Sequence, residues 1–538
     1  MHIPLRAVGL FFGPLALAAA LLPASVRAQT EGPPTLVVMI VVDQLGGDLI
    51  DRFEPALEGG FRRFMDEGRR YTRASHAHAM TETAPGHATL ATGVVPSRHG
   101  IVGNAWRQRA GFDWQTTYAV GDPEHPILGY EREEALEGRS PVNLLRSGLA
   151  DWVKAQNPQA RTVSISKKDR SAVVMAGQTR ENAWWMIDQL GIFGTSTFYA
   201  QRYPGWLTRF NAQVMTGIRQ PTEWRSEVPS VARVLARADH AEYEGDGEHT
   251  TFPHLAHDEV PPDNAQAFNL WAFDQPRADD AVLALARVAI AEFELGQREG
   301  RVDFLALSFS ALDRVGHAYG PRSQEALSTL VHLDVVLSEL MRFLDQEVGP
   351  GRWVAGLAGD HGSPESPEAE REAGFEGAER IDEGERFGAL GDALRDAANG
   401  GGSPDAIAAR VAEIVEERGL ADAAYTHQEL VLGGGGEPAD SFAVLYRNSH
   451  YPGRAWGALS RFGVELRFGE RDLVTSYPTG TTHGSPYWYD RHVEMMWIGP
   501  GVPQGETDEP VYTVDFAPTL AGLARVRTPE DLDGRRLF

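Results

Sequence analysis

The sequence predicts an α/β fold, built on a central, mostly parallel sheet with helices on both faces and a capping insertion. Two observations predict it. Short, continuous apolar runs rich in β-branched residues alternate with helical patterns, as in buried parallel strands joined by crossover helices. Acidic and histidine residues then follow several of those runs directly. In such sheets ligands collect outside the carboxyl ends of the strands.

In chain order, Met1 to Arg6 carries a basic residue, Ala7 to Leu22 is apolar but broken by Gly9, Gly13 and Pro14, and Val26-Arg27-Ala28 offers a small-residue cleavage site. This is the pattern of a secretory signal peptide, and the run falls short of the roughly 20 residues a spanning helix needs. Residues 1–28 are therefore expected to be removed, leaving residues 29–538 as a single catalytic domain with no membrane span, in the periplasm or outside the cell. Thr35 to Val42 (TLVVMIVV) reads as a buried strand that ends at Asp43. Further strands are expected at Thr162–Ser166, Phe304–Phe309, Trp353–Ala358 and Val493–Ile498. Helices are expected at Pro85–Thr92, Ser323–Glu347, Pro404–Arg418 and Tyr512–Leu523. From about residue 179 to 275 the alternation breaks in an aromatic-rich stretch, read as an insertion that either caps the site or serves only as structural packing. Ser363 to Gly402, acidic and glycine-rich, and the run Gly433 to Gly436 read as surface loops.

Composition narrows the function. The 50 basic and 75 acidic residues give a formal charge of −25, and loss of Arg6 and Arg27 with the signal segment makes it −27. Such a surface argues against binding a nucleic-acid backbone, which needs a concentrated basic face. It leaves room for a small anionic substrate, because the field of exposed charges decays over roughly 8–10 Å. With no cysteine, any metal must be held by His, Asp or Glu. Only Lys154, Lys167 and Lys168 are lysines, and two of them sit together in Ser166-Lys167-Lys168-Asp169-Arg170.

The candidate metal ligands are Asp43, Asp313 and His317 in DRVGH, Asp360 and His361 in GDHG, and His483 in TTHG. Three carboxylates and three imidazoles are what zinc accepts without thiolates, and six ligands suit two ions of three each. Asp313 and His317, four residues apart, share one helical face. The candidate nucleophile is Thr83 in TETAPGHAT: Pro85 suits a first helical turn, which sets the Thr83 hydroxyl beside the free amides of a helix start.

These segments closely resemble the alkaline phosphatase superfamily. Thr83-Ala84-Pro85-Gly86-His87, followed by Pro96 to Asn104 (PSRHGIVGN), is similar to the nucleophile and phosphoryl-binding segment of its threonine-using members. Asp43, the Asp313/His317 pair, Asp360-His361-Gly362 and Thr482-His483-Gly484 match the family's six metal positions in order, and Val514 to Leu520 resembles its last helix. The resemblance implies an alkaline phosphatase-like catalytic domain with two Zn(2+) ions, one held by Asp313, His317 and His483 and the other by Asp43, Asp360 and His361. It implies that Thr83 attacks phosphorus to give a phosphothreonine, with Asn104, Lys168 and Arg170 on the phosphoryl oxygens. Lys168-Asp169-Arg170 resembles the phosphomonoesterase branch, whose paired cations suit a dianionic group. Gly86 departs from many diesterases, which carry asparagine there. Small phosphate esters are the implied substrates, a monomer is expected, and a phosphodiesterase or nucleotide pyrophosphatase on the same core is the alternative.

Overall fold

The computed structural model describes residues 32–538 apart from 111–112, 133–135, 434–437, 439–440 and 458. The signal segment expected at 1–28 and Gly434 to Gly436 of the expected glycine loop lie outside the described residues. Strand β1 (Leu36–Val42) is buried along its whole length. A strand with no polar residue has to be covered on both faces. Leu36, Val38, Ile40 and Val42 enter one core with Phe61, Leu330 and Leu337, while Val37, Met39 and Val41 enter a second with Leu90, Trp152 and Phe516.

Eight more strands complete the central sheet: β2 (Arg69–Tyr71), β3 (Thr162–Ser166), β4 (Asn182–Ile187), β5 (Ile192–Gly194), β6 (Asp303–Phe309), β7 (Trp353–Gly359), β8 (Met495–Ile498) and β9 (Gly505–Thr507). Their order is β9-β2-β8-β7-β1-β6-β3-β4-β5. From β7 to β4 every neighbouring pair is parallel, whereas β8 runs antiparallel to both β7 and β2, and β5 antiparallel to β4. Val42 is in register with Phe309 and with Gly359, and Ser308 with Ser166. The chains leaving β1, β3, β6 and β7 therefore emerge at nearly one level.

Helices α1 (Thr83–Thr92), α2 (Asp169–Ala176), α3 (Arg277–Glu292), α4 (Ala311–Tyr319), α5 (Gln324–Glu347) and α6 (Phe516–Leu523) flank the sheet. Helices α3 and α5 pack on one face, with Ser323 capping α5 by accepting from the Ala326 amide. Helices α1 and α6 pack on the other. The N-cap of α1 is Glu82, so Thr83 is already inside the helix and its hydroxyl is not spent on capping.

The structure changes two expectations. The stretch at 179–275 is not wholly an insertion, because β4 and β5 belong to the central sheet. Its aromatics pack inward: Trp184, Phe193, Trp206, Phe210 and Trp224 join the core, with Trp184 and Trp206 edge to face at 5.5 Å. The segment 363–402 is not simply loop either. It holds helices Pro367–Glu372 and Glu383–Asn399, capped by Ser366 and Asp382. With helix Pro404–Glu417 the second of these builds a small separate core around Leu390, Ala397, Val411 and Val464. Alanines and glycines among the acids had hidden the helical period there. Among the described residues no helix is long and apolar enough to cross a membrane.

On one face the packing of α3 and α5 is reinforced by His332 of α5, whose Nε2 lies 2.9 Å from Asp280 and whose Nδ1 lies 3.4 Å from Glu227. Burial opposes its charge, but hydrogen bonds donated to those two carboxylates push it up to about 10. A raised histidine stabilises fully below its unfolded value near 6.5 and loses that contribution as pH rises through its folded value. His332→Gln should therefore lower the urea midpoint at pH 6, by the equivalent of about 1 kcal/mol, and the difference should shrink towards zero by pH 10. An equal difference at both pH values would show that His332 acts through packing alone.

Candidate active site

The ends of four adjacent parallel strands supply most of the site. Asp43 follows β1, Asp360 and His361 follow β7, Asp313 and His317 sit on α4 just after β6, and Lys168 is the N-cap of α2 after β3. Gln44, at φ 67°, turns the chain sharply after Asp43 and aims its backbone N–H at Asp360 Oδ1, 3.0 Å away. His483 arrives from a distant loop. Thr481 N donates to the His317 carbonyl at 2.9 Å, and Asp490 accepts from the Gly484 and Ser485 amides at 3.0 and 2.8 Å.

Each of the three histidines is oriented by a backbone carbonyl. Nδ1 of His317 lies 3.0 Å from Thr481 O, Nδ1 of His361 lies 3.0 Å from Gly362 O, and Nδ1 of His483 lies 2.7 Å from Thr81 O. An Nδ1–H donated to a carbonyl leaves the Nε2 lone pair free for another partner. All three Nε2 atoms turn towards the carboxylates, at 3.3 Å and 3.5 Å from Asp313 Oδ1 for His317 and His483, and 3.3 Å from Asp43 Oδ1 for His361. Asp313, His317 and His483 form one group whose ligand atoms all lie within 4.8 Å of one another, and Asp43, Asp313 and His361 form another. Asp360 stands beside the second group, its Oδ2 3.5 Å from His361 Nε2. Among the described residues, Oδ1 of Asp43, Oδ1 of Asp313 and Nε2 of His361 are buried without a hydrogen bond. Buried polar atoms in that state are costly, and a divalent cation would satisfy them together.

Thr83 Oγ1 meets two cations, with Lys168 Nζ and Arg170 Nη2 each 3.3 Å away. Lys168 Nζ also lies 2.6 Å from Asp43 Oδ2 and 2.6 Å from Asp313 Oδ2. Asn104 Oδ1 accepts from the Ala84 amide at 2.9 Å, which fixes the carboxamide beside the start of α1. All ten residues singled out in the sequence thus come together at one place.

The charges are strongly coupled. Burial and the neighbouring Asp313 oppose ionisation of Asp43, yet the Lys168 ammonium and His361 hold its carboxyl below the usual range. Burial likewise opposes Asp313, and Lys168 with His317 pulls it well down. His361 and His483 stack with ring centroids 3.6 Å apart. Burial disfavours a proton on either ring, but Asp360 and Asp43 lift His361 to about 9, while burial and the His361 charge press His483 down to about 3. Arg170, though buried, is raised by Tyr118 and Asp169 and stays a fixed cation.

Residues 37–463 match the family model for type I phosphodiesterase / nucleotide pyrophosphatase. This chain belongs to that family. It is 30% identical to alkaline phosphatase PhoV of Synechococcus elongatus, covering 95% of this chain and 94% of that protein. It is 28% identical to alkaline phosphatase PafA of Elizabethkingia meningoseptica, covering 93% of each. The crystal structure of wild-type PafA superposes with a TM-score of 0.83 at 25% identity, over 94% of this chain and 98% of that one. The phosphodiesterase family, within the alkaline phosphatase superfamily, therefore accounts for the fold.

In this family member several supporting residues were not singled out in the sequence. Glu82 Oε2 accepts from the Asn104 backbone N–H at 2.5 Å. His87 Nδ1 lies 2.9 Å from the Thr83 carbonyl and 3.0 Å from Asp360 Oδ2, and its Nε2 lies 2.9 Å from Ser308 Oγ. Tyr118 donates to Asp169 at 2.6 Å, and Arg139 pairs with the same carboxylate. Glu82 and His87 lie inside the Thr81–Thr89 segment, but no spacing rule marks a residue whose role is to hold another. Gly86 now has a physical reason: a β-carbon there would stand 2.1 Å from the Asp360 carbonyl oxygen. Gly86→Ala should push α1 away from the end of β7, lowering stability by about 1–3 kcal/mol and turnover at least tenfold. Unfolding midpoints and kcat measured together check it, and an active, fully stable variant would show that the two backbones separate freely.

Proposed function

We propose that this chain is an exported alkaline phosphatase that hydrolyses small phosphate monoesters through a phosphothreonine at Thr83, with two zinc ions as cofactors. The observation that carries the reading is the position of Thr83, a buried hydroxyl at the start of a helix with two fixed cations 3.3 Å from its oxygen. The names of the relatives PhoV and PafA support it. So does a PafA crystal structure whose four altered residues are a threonine, an asparagine, a lysine and an arginine, the same four types as Thr83, Asn104, Lys168 and Arg170. The signal-peptide pattern read in residues 1–28 supports a periplasmic or extracellular location for the reaction.

Asp313, His317 and His483 would hold one ion, and Asp43, Asp360 and His361 the other. The donor set fits, since it offers carboxylates and imidazoles whose Nδ1 atoms face backbone carbonyls, with buried atoms left unbonded among the described residues. When bound, the ions supply positive charge that lowers the pKa of a hydroxyl nucleophile and offsets charge on the leaving oxygen. Thr83 Oγ attacks phosphorus in line, so the new P–O bond forms as the ester P–O bond breaks and the alcohol leaves. Water then attacks the phosphothreonine, returning the threonine hydroxyl and releasing phosphate. Two in-line steps give net retention at phosphorus.

Lys168 and Arg170 hold the non-bridging oxygens, and a monoester dianion gains more from them than a diester monoanion does. Asn104, with Oδ1 already committed to Ala84 N, presents its amide hydrogens to the same oxygens. A cavity of about 750 Å³ reaches the site at Glu82 and His483 and is walled by Trp106, Tyr446, Trp456 and Phe468, giving the leaving group an aromatic surface.

On an aryl monoester, Thr83→Ala should lose at least a thousandfold in kcat/KM. Lys168→Ala should lose about a hundredfold on the monoester and only a few-fold on the matching diester. A wild-type preference for the diester that is indifferent to Lys168 would instead assign the phosphodiesterase reaction. Dialysis against a chelator should abolish turnover, and zinc should restore it. Full activity in demonstrably metal-free protein would sink the two-metal reading.

A further inference from the structure

Away from the active site, a second set of ligand-type side chains closes on itself. His427 begins helix His427–Leu432, His450 is the C-cap of helix Phe442–Ser449, and Glu465 lies on strand Val464–Arg467. Strands Ala423–Thr426 and Val464–Arg467 pair antiparallel, which brings His427 over Glu465. Its Nε2 lies 2.9 Å from Glu465 Oε1, and the His427 and His450 rings approach to 4.2 Å between centroids. The ligand atoms of the three residues all lie within 4.8 Å of one another.

Hydrogen bonding within the group leaves it incomplete. Glu465 is 0% exposed and His450 7%, yet among the described residues Glu465 Oε2 and His450 Nδ1 have no hydrogen-bond partner. Beside Oε2 stands Gly457, where a β-carbon would come within 2.8 Å of that oxygen. The backbone of Gly457 is not in the left-handed region, so its missing side chain matters as space and not as freedom to turn. Burial presses His427 and His450 down to about 4, which leaves both imidazoles uncharged near neutral pH with lone pairs to offer. Burial also raises the Glu465 acid well above its usual range, as expected of a carboxylate with no full counter-charge.

We propose that His427, His450 and Glu465 form a third metal site, separate from the catalytic residues, that binds a divalent transition metal of the zinc class. Two neutral imidazoles and one carboxylate are a ligand set for zinc, and three protein ligands leave one position for water. The 2.9 Å between His427 Nε2 and Glu465 Oε1 is close to the roughly 3.3 Å edge of a tetrahedron with bonds of about 2.0–2.1 Å. A cation here would join the strand pair to the end of helix Phe442–Ser449. That helix holds the approach to the nucleophile, because Ser449 Oγ accepts from the Ala79 and Met80 amides at 2.8 and 3.1 Å. The site is thus a clamp between that strand pair and helix Phe442–Ser449, and its residues take no part in the reaction.

The full chain would be equilibrated with zinc, dialysed to remove loosely held ions, crystallised, and its diffraction recorded on both sides of the zinc absorption edge. An anomalous peak between His427, His450 and Glu465 is expected. No peak there overturns the proposal, whatever the occupancy elsewhere. A peak there with none at the Asp43 and Asp313 groups would sink the catalytic metal reading and leave this one standing. In solution, E465Q combined with H450A should bind about one equivalent of zinc fewer than wild type and lose part of the zinc-induced rise in Tm. Unchanged zinc content would count against the site. Should that variant fail to fold, the wild-type diffraction still decides.

Discussion

Asp43, Asp313 and Asp360 are packed into one buried pocket, and the rest of the site is arranged around their mutual repulsion. Two like charges about 4 Å apart cost about 4 kcal/mol even at an intermediate effective dielectric. The pocket offsets this with Lys168, whose ammonium touches two of the acids, and with imidazoles aimed at them by backbone carbonyls. The same charge that must be neutralised for the fold to persist is what gathers cations beside Thr83. Stability and chemistry therefore draw on one electrostatic arrangement.

Rigidity comes from the parallel ladder. Because Val42 faces both Phe309 and Gly359, the residues just beyond β1, β6 and β7 cannot move independently without breaking buried backbone pairing. Helix α1 is fixed from the other side, where Gly86 lets its backbone lie against Asp360 and His87 ties the Thr83 carbonyl to the same neighbourhood. Positions held this way are more exact than positions on loops. His483 is the exception, coming from a loop, and it is held by Thr81, Asp490 and the His317 backbone.

Much of this was legible in the chain. Apolar runs such as TLVVMIVV announce doubly covered strands, and the acids that end them announce the ligand-bearing edge. The four-residue spacing of Asp313 and His317 placed both on one turn, and Lys168 and Arg170 were marked by the scarcity of lysine together with the family resemblance. The segment 363–402 was harder to see. Its helices between 367 and 399 are rich in Ala, Gly and acids, and their apolar stripe is too thin to stand out from a loop. The aromatic stretch after Thr179 was visible as a break in pattern, but composition does not say which way an indole faces. Trp184 and Trp206 face the core.

By itself the sequence determined the fold class and five of the nine strands of the central sheet, and with the family resemblance it supplied the ten candidate residues, because strand and helix periods and short motifs are local properties. Only the tertiary structure decided how those residues meet. It put Asp313 between both ligand groups, set Thr83 within reach of two cations, and explained Gly86 by an approach to Asp360 from 274 positions away in the chain. It also joined His427, His450 and Glu465, three residues no motif connects. Such contacts depend on sheet order, register and burial, which are set by the whole chain packing at once and leave no local trace.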